Sequence, residues 1–259
     1  MKLLGKVVIV TGGSKGIGAG IAKEAAREGA DVIINYNIDL KGAEKTLDIV
    51  NNLGRKGYIC KADVSKKTEV EKLIEYSVSC FGKIDVLINN AGIALWKPFL
   101  EIDEDNWDST IDINLKGVFL CSQMVAKHMI KNKIKGSIVN IASTAAHGAL
   151  DCLVPYCASK GGIILMTKSI AVELAAHGIR VNSLSPGTTD VKRNRDTDKN
   201  YPDDWISHIP LGRVGTVEEI AKPVIFLASS EASYITGQNF YADGGNTSYV
   251  SMPRSDFAK

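Results

Sequence analysis

Three residues in the middle of the chain have the types and the spacing of a proton-transfer site. Tyr156 and Lys160 stand four positions apart, and Ser143 lies thirteen positions before the tyrosine. Residues at positions i and i+4 share one face of a helix, which predicts that the Lys160 ammonium lies beneath the Tyr156 phenol. A nearby positive charge favours the phenolate and lowers the phenol pKa from about 10. We therefore expect Tyr156 to exchange a proton with a substrate oxygen near neutral pH.

A glycine-rich turn near the N-terminus predicts a nucleotide-binding loop. The β-branched run Val7–Val10 leads into Gly12, Gly16 and Gly18, and an alanine-rich helical pattern covers Ile17–Arg27. Glycines let the backbone approach a pyrophosphate, and the helix N-terminus supplies free N–H groups. The G-x-G-x-x-G fingerprint is absent, and a glycine cluster alone also makes ordinary turns. Because this one stands between a strand and a helix, it favours a dinucleotide.

The order of the motifs along the chain points to a known family. A Tyr-x-x-x-Lys pattern alone more often marks an aromatic anchor beside a solvated lysine. From about Lys6 to Gly245, however, the chain resembles the short-chain dehydrogenase/reductase family. The matching motifs are Thr11-Gly12-x-x-x-Gly16-x-Gly18, Asp63-Val64, Asn89-Asn90-Ala91-Gly92, Asn114, Ser143, Tyr156-x-x-x-Lys160 and Pro186-Gly187. The resemblance implies hydride transfer between a nicotinamide cofactor and a secondary alcohol or carbonyl.

The resemblance also implies a role for each matching residue. Tyr156 would accept the hydroxyl proton in alcohol oxidation or donate a proton in carbonyl reduction, and Ser143 would orient the substrate oxygen. Lys160 would lower the Tyr156 pKa and bind the nicotinamide ribose. Asn114 would join a water-linked proton relay with Lys160. The implied cofactor contacts are Gly12, Ser14, Lys15, Gly16, Ile17, Gly18, Asn37, Asp63, Val64, Asn90, Ala91, Gly92, Tyr156, Lys160, Pro186, Gly187 and Thr188.

Several of these residues also have an ordinary structural interpretation. Asp63, which would meet the adenine amino group, also fits a turn or a helix cap. Asn114 also fits a polar helix residue, and Thr188, which would hold the nicotinamide carboxamide, fits a loop threonine. Asn90 is expected to hold the neighbouring strand and the cofactor-binding backbone rather than to act in catalysis.

The end of the second predicted strand bears on the choice of cofactor. NAD-selective sites place an acid there, about 20 residues beyond the glycine loop, to hold the ribose 2′-hydroxyl. Tyr36 stands where the family usually carries this acid, and Asp39 comes too late. Lys15 is suited to pair with a 2′-phosphate, although it also fits an exposed loop lysine. We therefore expect NADP(H) to be favoured, with NAD(H) as an alternative.

Strand and helix patterns alternate along the chain. The strand patterns cover Val7–Thr11, Val32–Asn35, Tyr58–Lys61, Val86–Asn89, Ser137–Ile141, Arg180–Leu184 and Asn239–Ala242. The other helical patterns include Lys41–Leu53, Glu69–Phe81, Trp107–Lys131, Ser159–His177 and Val217–Ser229. This alternation predicts an α/β Rossmann fold, a doubly wound parallel sheet of about seven strands with helices on both faces. No linker divides residues 1–259, so we expect a single domain.

Composition excludes several classes of function. A chain of 259 residues with 45% hydrophobic content can build one large domain. The net charge of +2 gives no basis for binding nucleic acid or an anionic membrane. No apolar run approaches the ~20 residues of a membrane span, and no secretory signal is apparent. The five cysteines, which include no C-x-x-C, indicate neither a disulfide framework nor a metal site. We expect a cytoplasmic protein.

The substrate is the part about which the sequence says least. Residues 188–210 are polar and charged, and we expect them to form a substrate lid that includes Trp205. Trp96, His147 and Asp151 lie in loops near the catalytic motifs and are candidate substrate contacts. The stretch from Ile134 to Pro253 resembles bacterial glucose and rhamnose 1-dehydrogenases of the family. These features favour a small sugar, an aldose oxidised at its anomeric carbon.

Two alternatives to a sugar dehydrogenase stay open. A 3-oxoacyl-acyl-carrier-protein reductase would share every motif and would need a basic dock for its acidic carrier. Such a dock, or simply a solvated helix end, would be formed by Lys127, Lys131, Lys133 and Lys135. A nucleotide-binding regulator without turnover is the other alternative, although it would not need the set of Asn114, Ser143, Tyr156 and Lys160.

The two longest helical patterns predict self-association. The patterns over Trp107–Lys131 and Ser159–His177 carry apolar residues along their length, and similar enzymes associate through these helices. Closed symmetric assembly is the usual solution for such surfaces, so we expect a homotetramer. The tail, residues 246–259, is a candidate to cover a neighbour's site.

Overall fold

A seven-stranded parallel sheet forms the centre of the computed structural model, which describes residues 1–248. Its strands are β1 (Val7–Val10), β2 (Asp31–Tyr36), β3 (Gly57–Lys61), β4 (Val86–Asn89), β5 (Ser137–Ile141), β6 (Arg180–Pro186) and β7 (Asn239–Ala242). All six pairings are parallel, in the order β3-β2-β1-β4-β5-β6-β7. The order reverses between β1 and β4, which is where such sheets bind ligands. The predicted fold is confirmed.

Helices cover both faces of the sheet. They are α1 (Gly16–Arg27), α2 (Leu40–Asn52), α3 (Lys67–Phe81), α4 (Glu104–Ile111), α5 (Gly117–Lys131), α6 (Val154–Leu174), α7 (Lys192–Thr197), α8 (Asp203–Ile206) and α9 (Val217–Ala228). Side chains alternate between the faces of a strand. In β1, Val8 and Val10 therefore pack under α1, α2 and α9, whereas Ile9 packs under α3 and α5.

Two helices differ from their predicted bounds. The predicted helix over Trp107–Lys131 is interrupted, because one wide π turn at Asp112–Lys116 separates α4 from α5. Wide turns of this kind often occur at functional sites. Helix α6 begins at Val154, earlier than the predicted Ser159, with a proline in its first turn, where the missing N–H costs nothing.

The segment 188–210 is fastened at one end by backbone pairing with the residue Gly215. Thr189 pairs with Gly215 in an isolated parallel bridge, and the N–H of Asp190 donates to the Gly215 carbonyl at 2.8 Å. The segment then forms the two short helices α7 and α8. The predicted tail lies outside the described residues from position 249 onward. Within residues 1–248, no helix is both long and apolar enough to span a membrane.

Candidate active site

A cavity of about 320 Å³ opens at the carboxyl ends of the central strands. It lies beside the β1–β4 switch point and is closed on one side by the segment 188–210. Its walls are formed by Gly12, Ser14, Lys15, Gly16, Ile17, Gly18, Asn90, Ala91, Gly92, Ile141, Ala142, Ser143, Tyr156, Lys160, Pro186, Gly187, Thr189, Val191, Lys192, Arg193 and Asn194. The cavity thus brings together the glycine loop, the Asn90–Gly92 loop and the Ser143, Tyr156 and Lys160 side chains.

The glycine loop packs too closely against neighbouring backbone to accept a side chain at two of its positions. Gly12 has a φ of +61°, and a Cβ on it would lie 2.9 Å from the Cα of Ala91. A Cβ on Gly18 would lie 2.2 Å from the Gly12 carbonyl oxygen. Helix α1 begins after Lys15, and no side chain of the described residues caps its first turn. The first N–H groups of α1 are therefore suited to bind an anion.

Asn90 holds the glycine loop against the loop that follows β4. Its side-chain nitrogen donates to the carbonyls of Thr11 at 2.9 Å and Gly12 at 3.0 Å. The Thr11 hydroxyl in turn accepts from the backbone N–H groups of Asn90 and Ala91. This network gives Asn90 contacts of the structural kind expected from the sequence.

The proton-transfer residues converge from β5 and α6. Tyr156 and Lys160 lie one turn apart on α6, and the Lys160 Nζ lies 5.6 Å from the centre of the Tyr156 ring. Ser143 follows β5, and its hydroxyl oxygen accepts from the Ala145 N–H at 3.1 Å. Lys160 is buried, and its Nζ donates to the Ile141 carbonyl at 2.8 Å. That carbonyl fixes the amine at the end of β5.

Burial dominates the pKa values of both groups. It raises the Tyr156 pKa above its ordinary value, whereas the Ser143 hydrogen bond and the Arg193 charge act to lower it. Burial, followed by the Arg193 charge, lowers the Lys160 pKa to about 7. The expectation that the Tyr156 pKa falls below its ordinary value is wrong for this structure, because desolvation of the phenol outweighs the favourable charges. The nearby cation that acts on the phenol is Arg193.

Asn114 fastens the wide turn to the cavity wall. Its side chain accepts from the Ile93 N–H at 2.8 Å and donates to the Ile93 carbonyl at 2.9 Å. It also donates to the Ser159 hydroxyl at 3.2 Å, and that hydroxyl donates to the Tyr156 carbonyl. The buried amide thus joins the loop after β4 to α6. Its predicted part in a proton relay stays a prediction.

Four of the predicted cofactor residues lie outside the described lining of this cavity. Asn37 is exposed, and Val64 is buried beneath Gly117. Asp63 accepts hydrogen bonds from the N–H and the hydroxyl of Ser65, which is the turn geometry considered as its alternative. Thr188 lines a second cavity instead.

The four predicted substrate residues are also outside the described lining. Trp96 is 52% exposed, and the His147 ring packs edge-on against Tyr241, which lines the second cavity. Asp151 is exposed, and the Trp205 indole nitrogen donates to Asp198 at 2.8 Å. The structure brings the loops of Trp96 and Asp151 together, because the Lys97 N–H donates to the Cys152 carbonyl.

The comparisons with known proteins agree with this geometry. Residues 12–247 match a family model described as enoyl-(acyl carrier protein) reductase, which models short-chain dehydrogenases and reductases. The chain belongs to the short-chain dehydrogenase/reductase family. It is similar to glucose 1-dehydrogenase 2 of Bacillus subtilis, with 40% identity over 252 residues, covering 96% of this chain and 98% of the relative. The non-catalytic alternative is set aside, because the family and these relatives make the protein an oxidoreductase acting on CH–OH groups.

Two further comparisons extend this result. The chain is 40% identical over 245 residues to the 3-oxoacyl-(acyl-carrier-protein) reductase FabG of Chlamydia pneumoniae, covering 95% of this chain and 98% of that one. The crystal structure of a short-chain type dehydrogenase/reductase from Mycobacterium marinum superposes with a TM-score of 0.90 at 33% identity, covering 95% and 97% of the two chains. The family and fold are shown, whereas these relatives differ in substrate.

The cavity of this short-chain dehydrogenase/reductase fits a nicotinamide dinucleotide. Gly12, Gly16 and Gly18 line the cavity, and the uncapped first turn of α1 suits a pyrophosphate. When bound, the cofactor would carry the hydride. Among the described residues, no group of three or more His, Cys, Asp or Glu side chains could hold a metal ion.

Several residues of the cavity wall were not predicted from the sequence. The segment after Pro186-Gly187 contributes Thr189, Val191, Lys192, Arg193 and Asn194, where the prediction had placed Thr188. The Val191 methyl group lies 3.5 Å from where a Gly16 Cβ would be, so this segment covers the glycine loop. The signal available in the sequence was the Pro-Gly pair, which located the segment but not the side chains that face inward.

Proposed function

We propose that the protein is an NADP(H)-dependent sugar dehydrogenase that oxidises an aldose at its anomeric carbon. The cavity that joins Ser143, Tyr156 and Lys160 to the glycine cradle supports the oxidoreductase chemistry. The similarity to glucose 1-dehydrogenase 2, over nearly the full length of both chains, is the observation that supports a sugar as the substrate.

The proposed mechanism uses the chain's own residues for positioning and for the proton. Ser143 hydrogen-bonds the substrate hydroxyl and turns it toward Tyr156. The Tyr156 phenolate accepts the hydroxyl proton as the hydride departs. Because burial raises the Tyr156 pKa, oxidation is expected to accelerate as the pH rises and the phenolate forms. Carbonyl reduction needs the protonated phenol and is favoured at lower pH.

Lys160 and Asn114 hold this arrangement in place. We assign the buried Lys160 amine, which is anchored on the Ile141 carbonyl, to the nicotinamide ribose. The Asn114 side chain connects the loop after β4 to the start of α6 through its hydrogen bonds with Ile93 and Ser159. A misplaced α6 would carry Tyr156 away from the substrate oxygen, so both residues act on the position of the phenol.

The proposed preference for NADP(H) rests on the end of β2. Tyr36 ends the strand, and Asp39, the nearest acid, is used as the N-cap of α2, where it accepts from the Gly42 N–H at 3.0 Å. This carboxylate is therefore engaged in holding the helix. Lys15 is exposed at the cavity edge, in the loop that contacts α2 through the Ser14 carbonyl. It supplies a positive charge suited to a 2′-phosphate.

Replacing Lys15 by alanine is expected to weaken NADP(H) binding and to leave NAD(H) binding nearly unchanged. A charge-assisted hydrogen bond contributes roughly 1.5–3 kcal/mol, so the expected loss for NADP(H) is about ten- to a hundredfold. Fluorescence titration of the wild type, Lys15→Ala and the exposed control Lys23→Ala measures both dissociation constants. Equal losses for the two cofactors would show that Lys15 does not select between them.

The four candidate substrate residues support a sugar as substrate. Trp96, His147 and Asp151 are exposed on neighbouring loops beside the Ser143 and Tyr156 segment, and Trp205 stands in α8. We propose that they contact the sugar at the cavity mouth, where an aromatic ring covers its apolar face. A site that hydrogen-bonds hydroxyls discriminates strongly against analogues that lack them. Deoxygenated sugars are therefore expected to be poor substrates.

A 3-oxoacyl-carrier-protein reductase is the second candidate, because the similarity to FabG is equally high. The lysine cluster considered as a carrier dock does not support it. Lys127 and Lys131 lie in the last turns of α5, and Lys133 and Lys135 lie in the connection to the first residue of β5. The cluster therefore lies at the amino-end edge of the sheet, opposite the cavity of the same chain.

A spectrophotometric screen at 340 nm tests the proposed function. NAD+ and NADP+ are each paired with aldoses and polyols, and NADPH is paired with acetoacetyl thioesters. We expect the highest kcat/KM for an aldose with NADP+. A much higher kcat/KM for the thioesters would replace the sugar dehydrogenase by the carrier-protein reductase.

A homotetramer is the expected assembly. Helices α5 and α6 expose large apolar side chains, with Phe119 42%, Leu165 70% and Val172 79% accessible in the single chain. Packing these faces against copies of themselves would remove this area from water. Light scattering at micromolar concentration is expected to give four times the chain mass of 27.9 kDa. The monomer mass would contradict the prediction.

The cytoplasmic location stays a prediction. It rests on the five cysteines, Cys60, Cys80, Cys121, Cys152 and Cys157, which are all free thiols in the structure. Free thiols are the usual state in a reducing compartment.

A further inference from the structure

Four buried polar side chains form a row across the centre of the sheet. The Asn89 side-chain amide donates to the Ser122 hydroxyl at 2.9 Å and to the Asn140 amide oxygen at 2.8 Å. The Asn140 amide nitrogen donates in turn to the Thr167 hydroxyl at 2.9 Å. Each of the four residues is at most 2% exposed. This buried polar row joins α5, β4, β5 and α6 through one chain of hydrogen bonds.

The row lies on a face of the sheet that is otherwise apolar nearby. Leu87 and Ile138 stand two positions before Asn89 and Asn140, on the same faces of their strands, and both belong to the apolar core. Replacing both partners of a buried hydrogen bond by apolar groups of the same shape is often nearly neutral for stability. A satisfied polar network instead specifies one arrangement of the elements that it joins. The geometry that the row imposes is therefore the property to explain.

Helix α6 is attached to β5 at two points. The Ile141 carbonyl accepts from Lys160, and the preceding residue, Asn140, donates to Thr167. Lys160 and Thr167 are seven positions apart, which is two turns along one face of the helix. The lysine reaches its carbonyl through a flexible four-carbon stem, whereas the Asn140 and Thr167 side chains are short. The Asn140–Thr167 contact therefore constrains the helix backbone more tightly.

The same row holds α5, which follows the wide turn of Asn114. Ser122 lies eight positions after Asn114, a little over two turns further along. Near the cavity, Asn114 connects to α6 through the Ser159 hydroxyl. Deeper in the core, Ser122 connects to α6 through the row. The helical segment with Asn114 and α5 is thus linked to α6 at two levels, and the reacting residues lie at the cavity end.

We propose that the buried polar row is a positioning device for the reaction, in which Asn140 and Thr167 set the tilt of α6 and thereby the position of the Tyr156 phenol. Tyr156 lies eleven positions before Thr167, which corresponds to roughly 16 Å along the helix. A tilt of about 4° at Thr167 displaces the tyrosine by about 1 Å, and a misplacement of this size can lower a rate about a hundredfold. The inference rests on the proposed proton exchange by Tyr156 and not on the identity of the substrate.

Variants of Thr167 that differ by one hydroxyl test the proposal. Thr167→Val replaces the hydroxyl by a methyl group of similar size, and Thr167→Ser keeps the hydroxyl that Thr167→Ala lacks. We expect kcat to fall about ten- to a hundredfold from wild type to Thr167→Val and from Thr167→Ser to Thr167→Ala. Thr167→Ser itself is expected to stay within about twofold of the wild-type kcat, because it keeps the acceptor for Asn140. If Thr167→Val does not fold, the serine and alanine pair decides, since alanine is well tolerated in a helix.

A purely structural role of the row would give a different result. Lower stability alone does not change the rate of the folded enzyme, so kcat would then be the same in every folded variant. The kinetics use the substrate with the highest kcat/KM in the screen at 340 nm. The NADP+ dissociation constant, measured by fluorescence titration, is expected to change less than about twofold, because the lost positioning acts on the chemical step. Equal kcat with and without the hydroxyl would overturn the proposal.

Thr110→Val is the matched control. It removes a similarly buried threonine hydroxyl, which donates to the Asn106 carbonyl within α4 at 2.8 Å. This variant is expected to have a lower Tm and the wild-type kcat. A loss of kcat as large as that of Thr167→Val would show that any buried hydroxyl has this effect, and would overturn the proposal.

Crystal structures distinguish failure of this inference from failure of the proposed sugar dehydrogenase function. The wild type and Thr167→Ala are each crystallised with NADP+, and the distance between the Tyr156 and Ser143 hydroxyl oxygens is compared without any turnover. We expect this distance to change by about 1 Å. Such a change supports the inference even where no aldose is oxidised. An unchanged distance overturns the inference, whatever the substrate, and leaves the proposed function standing if an aldose is oxidised.

Discussion

Tyr156→Phe is expected to lower kcat about 10²–10⁴-fold and to change cofactor affinity less than about twofold. Phenylalanine keeps the ring that packs near Lys160 but removes the hydroxyl that exchanges the proton. The cofactor cradle, built from the glycine loop and Asn90, is left intact. Steady-state kinetics at 340 nm and fluorescence titration with NADP+ measure the two effects separately.

The matched control for this change is Tyr241→Phe. Tyr241 lines the second cavity and loses the same hydroxyl at a site away from Ser143 and Lys160. It is expected to retain wild-type kcat. If Tyr156→Phe kept most of the wild-type activity, the tyrosine would be removed from the acid–base role, and the second cavity would have to be considered as the reaction site.

Lys160→Met is expected to reduce both kcat and cofactor affinity. Methionine fills a similar volume but can neither donate to the Ile141 carbonyl nor hold the ribose. The loss of a positioned polar group is expected to lower kcat by about 10²-fold or more, and the lost ribose contact to weaken NADP+ about tenfold. An unchanged dissociation constant with reduced kcat would remove Lys160 from cofactor binding.

The same variant is expected to change how stability depends on pH. The Lys160 pKa falls from 10.5 to about 7 in the folded chain, so between these values the unfolded chain binds more protons. Stability from this group therefore rises with pH across that window, and the full cost of burying the charge is present below it. The Tm of Lys160→Met relative to wild type should therefore fall as the pH rises from about 7 towards 10.5. A constant difference would show that the amine is not desolvated.

The sheet and its loops could be predicted because their signals are local. The run Val7–Val10 is β-branched and buried on both sides, and Gly12 and Gly18 stand where a side chain would collide with the backbone. Tyr156 and Lys160 are four positions apart in the sequence, which is enough to place them on one face of a helix. Such features depend on a few neighbouring residues, so a single chain is enough to reveal them.

Features that depend on tertiary contacts could not be predicted. The π turn at Asp112–Lys116 places Asn114 against Ile93, which lies 21 residues away in sequence. The direction in which the Tyr156 pKa shifts depends on how deeply the phenol is buried. The spacing of residues in the sequence does not show this burial. The positions of one tyrosine and one lysine do not reveal whether desolvation or the nearby charge has the larger effect on the phenol pKa.

The segment 188–210 shows the same limit most clearly. Its polar sequence has several cations and no periodicity that indicates which of them faces inward. Thr189, which bridges to Gly215, lines the cavity, whereas Thr188 lines the second cavity. Arg193 was therefore recognised only once α7 had been placed over the cavity.

Transfer of deuterium from a C1-deuterated sugar tests most directly whether the protein oxidises an aldose at its anomeric carbon. Glucose labelled at the anomeric carbon is incubated with NADP+, and the reduced cofactor is analysed by NMR. We expect one deuterium in each reduced nicotinamide with the wild-type protein, and reduction at least about a hundredfold slower with Tyr156→Phe. Reduced cofactor that carries no deuterium, or equal transfer by Tyr156→Phe, would contradict the claim that this cavity oxidises the anomeric carbon through Tyr156.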